Sequence, residues 1–134
     1  MVKRRVTLAA PPEVLTVSPG DTVRVTTEFD YIGPALSARM ISAIWHKTLL
    51  DSHDEIVREN KDFSIPNSPP PGNHITVFID LLVPPGEPGS FGLYSSIRDV
   101  PGADIYSPYY ENVIEIIGAE SVFSNLEITS YAKR

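Results

Sequence analysis

The sequence predicts an all-β fold: two antiparallel sheets packed face to face as a sandwich of about seven to nine strands. Three observations lead there. Between Val17 and Tyr31 apolar and polar residues alternate, with Val23, Val25, Phe29 and Tyr31 on one side and Thr22, Arg24, Thr26, Glu28 and Asp30 on the other. A period of two with one apolar face marks a half-buried antiparallel strand. The run from His74 to Val83 repeats the pattern, with Ile75, Val77, Ile79, Leu81 and Val83 sharing a face. The 13 prolines are too many for a helical protein, and they cluster where turns would separate short strands.

Residues 6–8 form a short first strand ended by Pro11-Pro12, and Val14, Leu15 and Val17 a second short segment before Pro19-Gly20. A strand interrupted by prolines belongs at a sheet edge, where a missing N–H is tolerated. In the turn that follows, Pro presets one backbone angle and Gly takes a conformation that a side chain resists. The strand over residues 21–32 therefore starts in a fixed register and stops at Gly33-Pro34. A one-residue slip would expose Val23, Val25 and Phe29 together, at about 1.5–3 kcal/mol for each large apolar side chain.

Residues 36–48 carry Ile41, Ala43 and Trp45 on one face and Ala38, Met40 and Ile44 on the other. Two partly apolar faces suit a central strand, or one whose outer face is covered. The β-branched content favours strand over helix, and Trp45, the sole tryptophan, is expected in the buried core. Asp51-Ser52-His53-Asp54-Glu55 reads as a polar loop, residues 56–59 as a short edge strand and residues 63–65 as another. The breaker cluster from Pro66 to Asn73 reads as extended and exposed.

The outer side of the strand over residues 74–83 carries Phe78 and Leu82, apolar groups that mark contact with the C-terminal segment or a neighbouring domain. A Pro-Gly-rich turn leads into residues 91–97, with Phe91, Leu93 and Ile97 inward. A loop over residues 99–108 precedes a strand over residues 110–117 that places Asn112, Ile114 and Ile116 on one side and Glu111, Val113 and Glu115 on the other. Gly118 ends it, giving a sandwich domain over residues 1–118. Residues 119–134 read as a C-terminal extension, an extra strand or a linker. The strand signal of Leu126-Glu127-Ile128-Thr129 suits the first strand of a following module or a segment that pairs with another chain.

At 134 residues the chain is long enough for one domain with a real core. Cysteine is absent, which excludes disulfides, thiolate metal sites and cysteine nucleophiles. Eleven basic against 17 acidic residues give a net charge of −6, so a phosphate backbone is repelled and no nucleic-acid partner is expected. The basic groups Lys3-Arg4-Arg5 and Lys133-Arg134 read as solvated ends. No apolar run approaches the roughly 20 residues of a membrane span, so no membrane insertion is expected. The start carries positive charge without an apolar stretch behind it and does not read as a secretory signal; a leader removed earlier or lying upstream stays open.

Two motifs sharpen the fold. Val17-Ser18-Pro19-Gly20-Asp21-Thr22-Val23 resembles the V-x-P-G-x-x-V lead-in to the second strand of bacterial immunoglobulin-like modules. Pro88-Gly89-Ser90-Phe91-Gly92-Leu93 resembles the P-G-x-Y-x-L lead-in to their sixth strand. The resemblance, to an immunoglobulin-like or fibronectin type III-like sandwich, spans residues 12–118. The chain departs from that pattern twice: Phe91 stands where a corner tyrosine is expected, and no cysteine pair is present. The resemblance implies a non-enzymatic structural or binding module of a surface, secreted or phage structural protein, extracellular, on a cell surface or in a virion. Its implied partners are other protein domains or subunits, including copies of itself, and no cofactor or metal is expected.

Three groups of residues carry candidate chemistry. Asp51, His53, Asp54 and Glu55 are the densest set of metal-ligating types, yet they lack the spacing of a calcium loop and read as solvated. His46, His53 and His74 with the serines offer the residue types of a hydrolytic triad, but no Gly-x-Ser-x-Gly elbow is present and strand-end surface positions suit His46 and His74. Asp99 and Asp104 share a loop with Tyr106, and Tyr109, Tyr110 and Asn112 follow at its exit. Tyrosines beside carboxylates bind sugar rings by stacking and hydrogen bonding, and tyrosine-rich loops on sandwiches also recognise proteins. The binding candidates are Asp99, Asp104, Tyr106, Tyr109 and Tyr110. A carbohydrate-binding module using this loop is the alternative to a protein-contact module, and covering the open end of the core is the plainest role for the tyrosines.

Overall fold

A computed structural model describes residues 4–7, of which the backbone is considered, and residues 13–47, 53–118 and 124–133. Among the described residues nine strands follow one another: β1 (Arg4–Thr7), β2 (Leu15–Val17), β3 (Thr22–Gly33), β4 (Leu36–Lys47), β5 (His53–Ile65), β6 (Ser68–Leu82), β7 (Gly89–Arg98), β8 (Ile105–Tyr106) and β9 (Tyr110–Ile116). There is no helix among the described residues. One sheet has the order β1-β3-β6, the other β2-β9-β7-β4-β5, with β8 added to β7. The expected all-β, two-sheet architecture is what the chain forms. Neighbours pair antiparallel except β2 and β9, which run parallel from Leu15 opposite Ile114 to Val17 opposite Ile116.

The alternating faces close on each other as their periodicity requires. Val23, Val25, Phe29 and Tyr31 of β3 and Val77, Ile79 and Leu81 of β6 bury against Met40 and Ile44 of β4 and Phe91, Leu93 and Ile97 of β7. One polar link crosses this core: the Thr27 hydroxyl donates to Ser95 Oγ at 2.7 Å, and Ser42 Oγ lies 2.8 Å from the same atom. Phe91 is buried in the core. The Tyr31 hydroxyl donates to the Pro34 carbonyl at 2.7 Å and occupies the space that a Gly33 Cβ would need.

Several expectations need correction. His53, Asp54 and Glu55 are not a loop: they begin β5, a single 13-residue strand that also absorbs the two short strands expected over residues 56–59 and 63–65. β4 provides a continuous ladder for it, from Leu36 opposite Ile65 to Lys47 opposite His53. Its charges hide the strand period because it is the edge strand of the larger sheet, and most of its side chains stay exposed. Glu59 and Lys61 share parity with Val57 and Phe63 yet stay exposed, and Lys61 Nζ donates to the Phe78 carbonyl at 3.2 Å. The proline cluster is extended, as expected, but it belongs to β6, with Ser68 buried and paired to Gly33.

In β9 the simple alternation breaks. Asn112 takes a left-handed φ of 54° and is exposed, whereas Val113 and Ile114 are both buried. The pairing with β7 shifts between Phe91 opposite Ile114 and Leu93 opposite Tyr110, so β9 bulges there. Trp45 is buried, but outside the inter-sheet core, in a separate cluster with Ala43 and Tyr94. No strand forms over Leu126–Thr129: residues 124–133 pair with neither sheet, and Leu126, Ile128 and Tyr131 are exposed. Asp51, Ser52, Val122 and the basic residues Lys3 and Arg134 lie outside the described residues.

Candidate functional site

Side chains at even positions of β4 and odd positions of β7 enter the core, so Ala43, Trp45, Tyr94, Ser96 and Arg98 lie on the outer face of the larger sheet. Trp45 pairs with Gly92 across β4 and β7, and the absence of a side chain at Gly92 makes room for the indole. A Cβ there would sit 2.3 Å from indole atoms Cε2 and Cζ2 and 2.5 Å from the Tyr110 carbonyl oxygen. Two rings flank the indole: His53 edge-on at 4.4 Å and Tyr109 at 5.8 Å. Trp45 Nε1 is buried without a hydrogen-bond partner.

Tyr94 is the centre of the face. Its hydroxyl donates to Glu55 Oε1 at 2.7 Å and accepts from Arg58 Nη2 at 3.1 Å. Arg58 closes the triangle by bonding both Glu55 carboxylate oxygens, at 2.6 and 3.0 Å. Burial, then the neighbouring Glu55 carboxylate, pushes the Tyr94 phenol up to about 12, so the ring stays a neutral donor. Tyr109 stacks on it with centroids 4.4 Å apart and planes 10° from parallel. Its phenol is also raised, by burial and then by Tyr106. Tyr106 stands 6.3 Å from Tyr109 at an interplanar angle of 28°. The Arg98 guanidinium lies 5.3 Å over the Tyr106 ring and 3.6 Å from the Asp104 carboxylate.

The loop that brings these tyrosines back is pinned by Ser107. The Ser95 N–H donates to Ser107 Oγ at 2.9 Å, and the Ser107 N–H to the Ser95 carbonyl at 2.8 Å. The Ser107 hydroxyl donates to the Pro108 carbonyl at 3.0 Å. Just before it, β8 pairs with β7, Ile105 opposite Ile97 and Tyr106 opposite Ser96. A buried serine with both backbone and side chain engaged holds Tyr106 and Tyr109 in place.

Of the five candidates, the fold brings three together: Tyr106, Tyr109 and, through Arg98, Asp104. Tyr110 is partly buried against the inter-sheet core instead, because the bulge in β9 turns it from the outer face. Asp99 is set apart in a left-handed turn at φ 62°, with its carboxylate 3.7 Å from Arg39. Asn112 lies across Trp45 from the tyrosines, on the rim of a depression of about 250 Å³ lined also by His46, Lys47 and Glu111. Sequence reasoning missed His53, Glu55, Arg58, Tyr94, Arg98 and Ser107 as parts of this face. Parity held one usable signal: Tyr94 lies between the inward Leu93 and Ser95, so its ring had to find cover outside.

This arrangement offers ring faces for stacking and fixed donors and acceptors at their rim. Among the described residues no group of three histidine, aspartate or glutamate side chains is placed to hold a metal ion. His46 stacks on Phe91 and its Nδ1 lies 3.4 Å from the Asp54 carbonyl, while His74 bonds Asp30 and Glu28. No family model matches this chain, and no curated protein sequence matches it.

Proposed function

We propose that this chain is a non-enzymatic module of the immunoglobulin-like kind, serving a surface, secreted or phage structural protein, and that the aromatic outer face is its contact surface. The strand order supports the first part. Read in chain order, β1, β3 and β6 take the places of strands A, B and E, and β4, β7 and β9 those of C, F and G. Other domains or subunits, including further copies of the chain, are the partners such a module meets.

The observation that carries the second part is the exposure of Tyr106 and Tyr109, 46% and 38%, on rings held from beneath by Tyr94 and from the side by Arg98. Tyrosine supplies a large, stiff contact area with little rotamer freedom to lose. A ring needed only as cover would be sunk further into the face it covers.

Denaturation of the alanine variants tests this reading. Tyr106→Ala should cost less than about 1 kcal/mol, near the range of surface substitutions. Tyr109→Ala should cost about 1–2 kcal/mol, because a half-open ring loses its close stack on Tyr94 and its looser contacts with Tyr106, Trp45 and His53. Ile44→Ala, in the inter-sheet core, is the reference at about 2–5 kcal/mol. Tyrosine variants as costly as Ile44→Ala would make the two rings structural cover and remove the contact surface.

A further inference from the structure

We infer that the aromatic face takes an uncharged oligosaccharide, with one pyranose ring on Tyr109 and the next on Tyr106. This rests on the contact surface proposed above and names its ligand. Tyr94 lies 4.4 Å from Tyr109 and almost parallel to it, and His53 leans on the same ring at 4.7 Å and 54°. Tyr109 is still 38% exposed, and that exposed ring surface is the platform. Tyr106 offers a second platform 6.3 Å away, tilted by 28°. A pyranose presents a flat C–H face to such a ring and a rim of hydroxyls around it. That rim needs fixed donors and acceptors, and Arg98, Asp104 and His53 border the platforms.

Charge selects the uncharged class. Among the described residues of the tyrosine cluster, Arg58 is matched by Glu55 and Arg98 by Asp104, which leaves no surplus cation there to hold a sulfate or uronate, and the chain as a whole carries −6. Two platforms in sequence favour two linked rings over one. A proline-rich peptide would also lie on tyrosines, but it brings no hydroxyls to occupy the charged rim.

The test uses the full chain and soluble β-linked gluco-, xylo-, manno- and N-acetylgluco-oligosaccharides, with the matching monosaccharides as controls. Trp45, the sole tryptophan, sits beside Tyr109 and His53 and reports occupancy through its emission, with calorimetry as the second readout. At least one oligosaccharide should give saturable binding, at least about tenfold tighter than its monosaccharide. Tyr109→Ala should weaken it at least about tenfold, Tyr109→Phe by no more than about threefold, and Tyr106→Ala should narrow the gap between oligosaccharide and monosaccharide. Absence of binding to every sugar overturns the inference, as does affinity unchanged in both alanine variants. If those variants are as stable as expected above, such a failure leaves the contact surface standing with a different ligand; if they unfold like Ile44→Ala, the surface itself fails with it.

Discussion

At the scale of single residues, His74 shows how an exposed cross-strand contact becomes sensitive to pH. Its Nδ1 lies 2.8 Å from Asp30 Oδ1 and its Nε2 3.3 Å from Glu28 Oε1. The imidazolium can donate to both carboxylates at once, and the hydrogen bond to Asp30, then that to Glu28, raises the imidazole above its ordinary value of 6.5. A pKa raised by folding stabilises the fold fully below the unfolded value, and the contribution is lost as pH climbs through the folded value. The stability gap between the native chain and His74→Gln should therefore be widest below pH 6.5 and close on the alkaline side. Urea denaturation at several pH values checks this. The gap should also shrink in salt of about 1 M, since the His74 and Asp30 side chains are open to solvent. A gap that widens with pH would contradict the assignment. Nothing local to His74 announces this pairing; it depends on the register that sets Asp30 opposite His74.

At the scale of elements, the segment from Asp99 to Tyr109 is made of turn residues yet holds the two exposed tyrosines in one arrangement. Ser107 is the reason. Its hydroxyl is the acceptor for the Ser95 N–H, a buried donor at the middle of β7. Ser107→Ala would strand that N–H, at about 1–3 kcal/mol, and loosen the loop from β7. Denaturation should show that loss, and amide hydrogen exchange at Ser95 should accelerate more than at Val25 on β3. Exchange unchanged at Ser95 would place the anchor elsewhere, in the two-residue pairing of β8. A serine two residues before a tyrosine carries no mark of this role in sequence. The same limit hid β5, where an edge strand with charges on both faces has no period to read. Such charges suit an exposed edge, which must not offer itself to another sheet.

At the scale of the whole molecule, the two sheets are held by apolar faces and by one hydroxyl cluster that spans them. Ser95 Oγ accepts from Thr27 on the opposite sheet and meets Ser42 on the adjacent strand, all three residues fully buried. Ser95→Ala should cost about 1–3 kcal/mol, because two buried hydroxyls lose their shared partner. Combining it with Thr27→Val should cost less than the sum of the two single changes, since removing both partners leaves fewer groups unsatisfied. A denaturant series on the four chains measures that coupling, and strict additivity would show that the contact contributes nothing. Parity placed Thr27 on the face of Val25 and Phe29, but what a polar group meets there is decided by the other sheet.

The all-β class, the strands with clean alternation and most of the residues that meet between the sheets are legible in the residue pattern. Those properties follow from the two-residue period of one extended strand, which is local. Tertiary structure alone decided that Trp45 packs outside the inter-sheet core, that Tyr106 and Tyr109 join Tyr94 while Tyr110 turns toward the core, and that Asp99 stays with Arg39. Each of these depends on register and bulges between segments distant in the chain, where one inserted residue reverses which face a side chain takes.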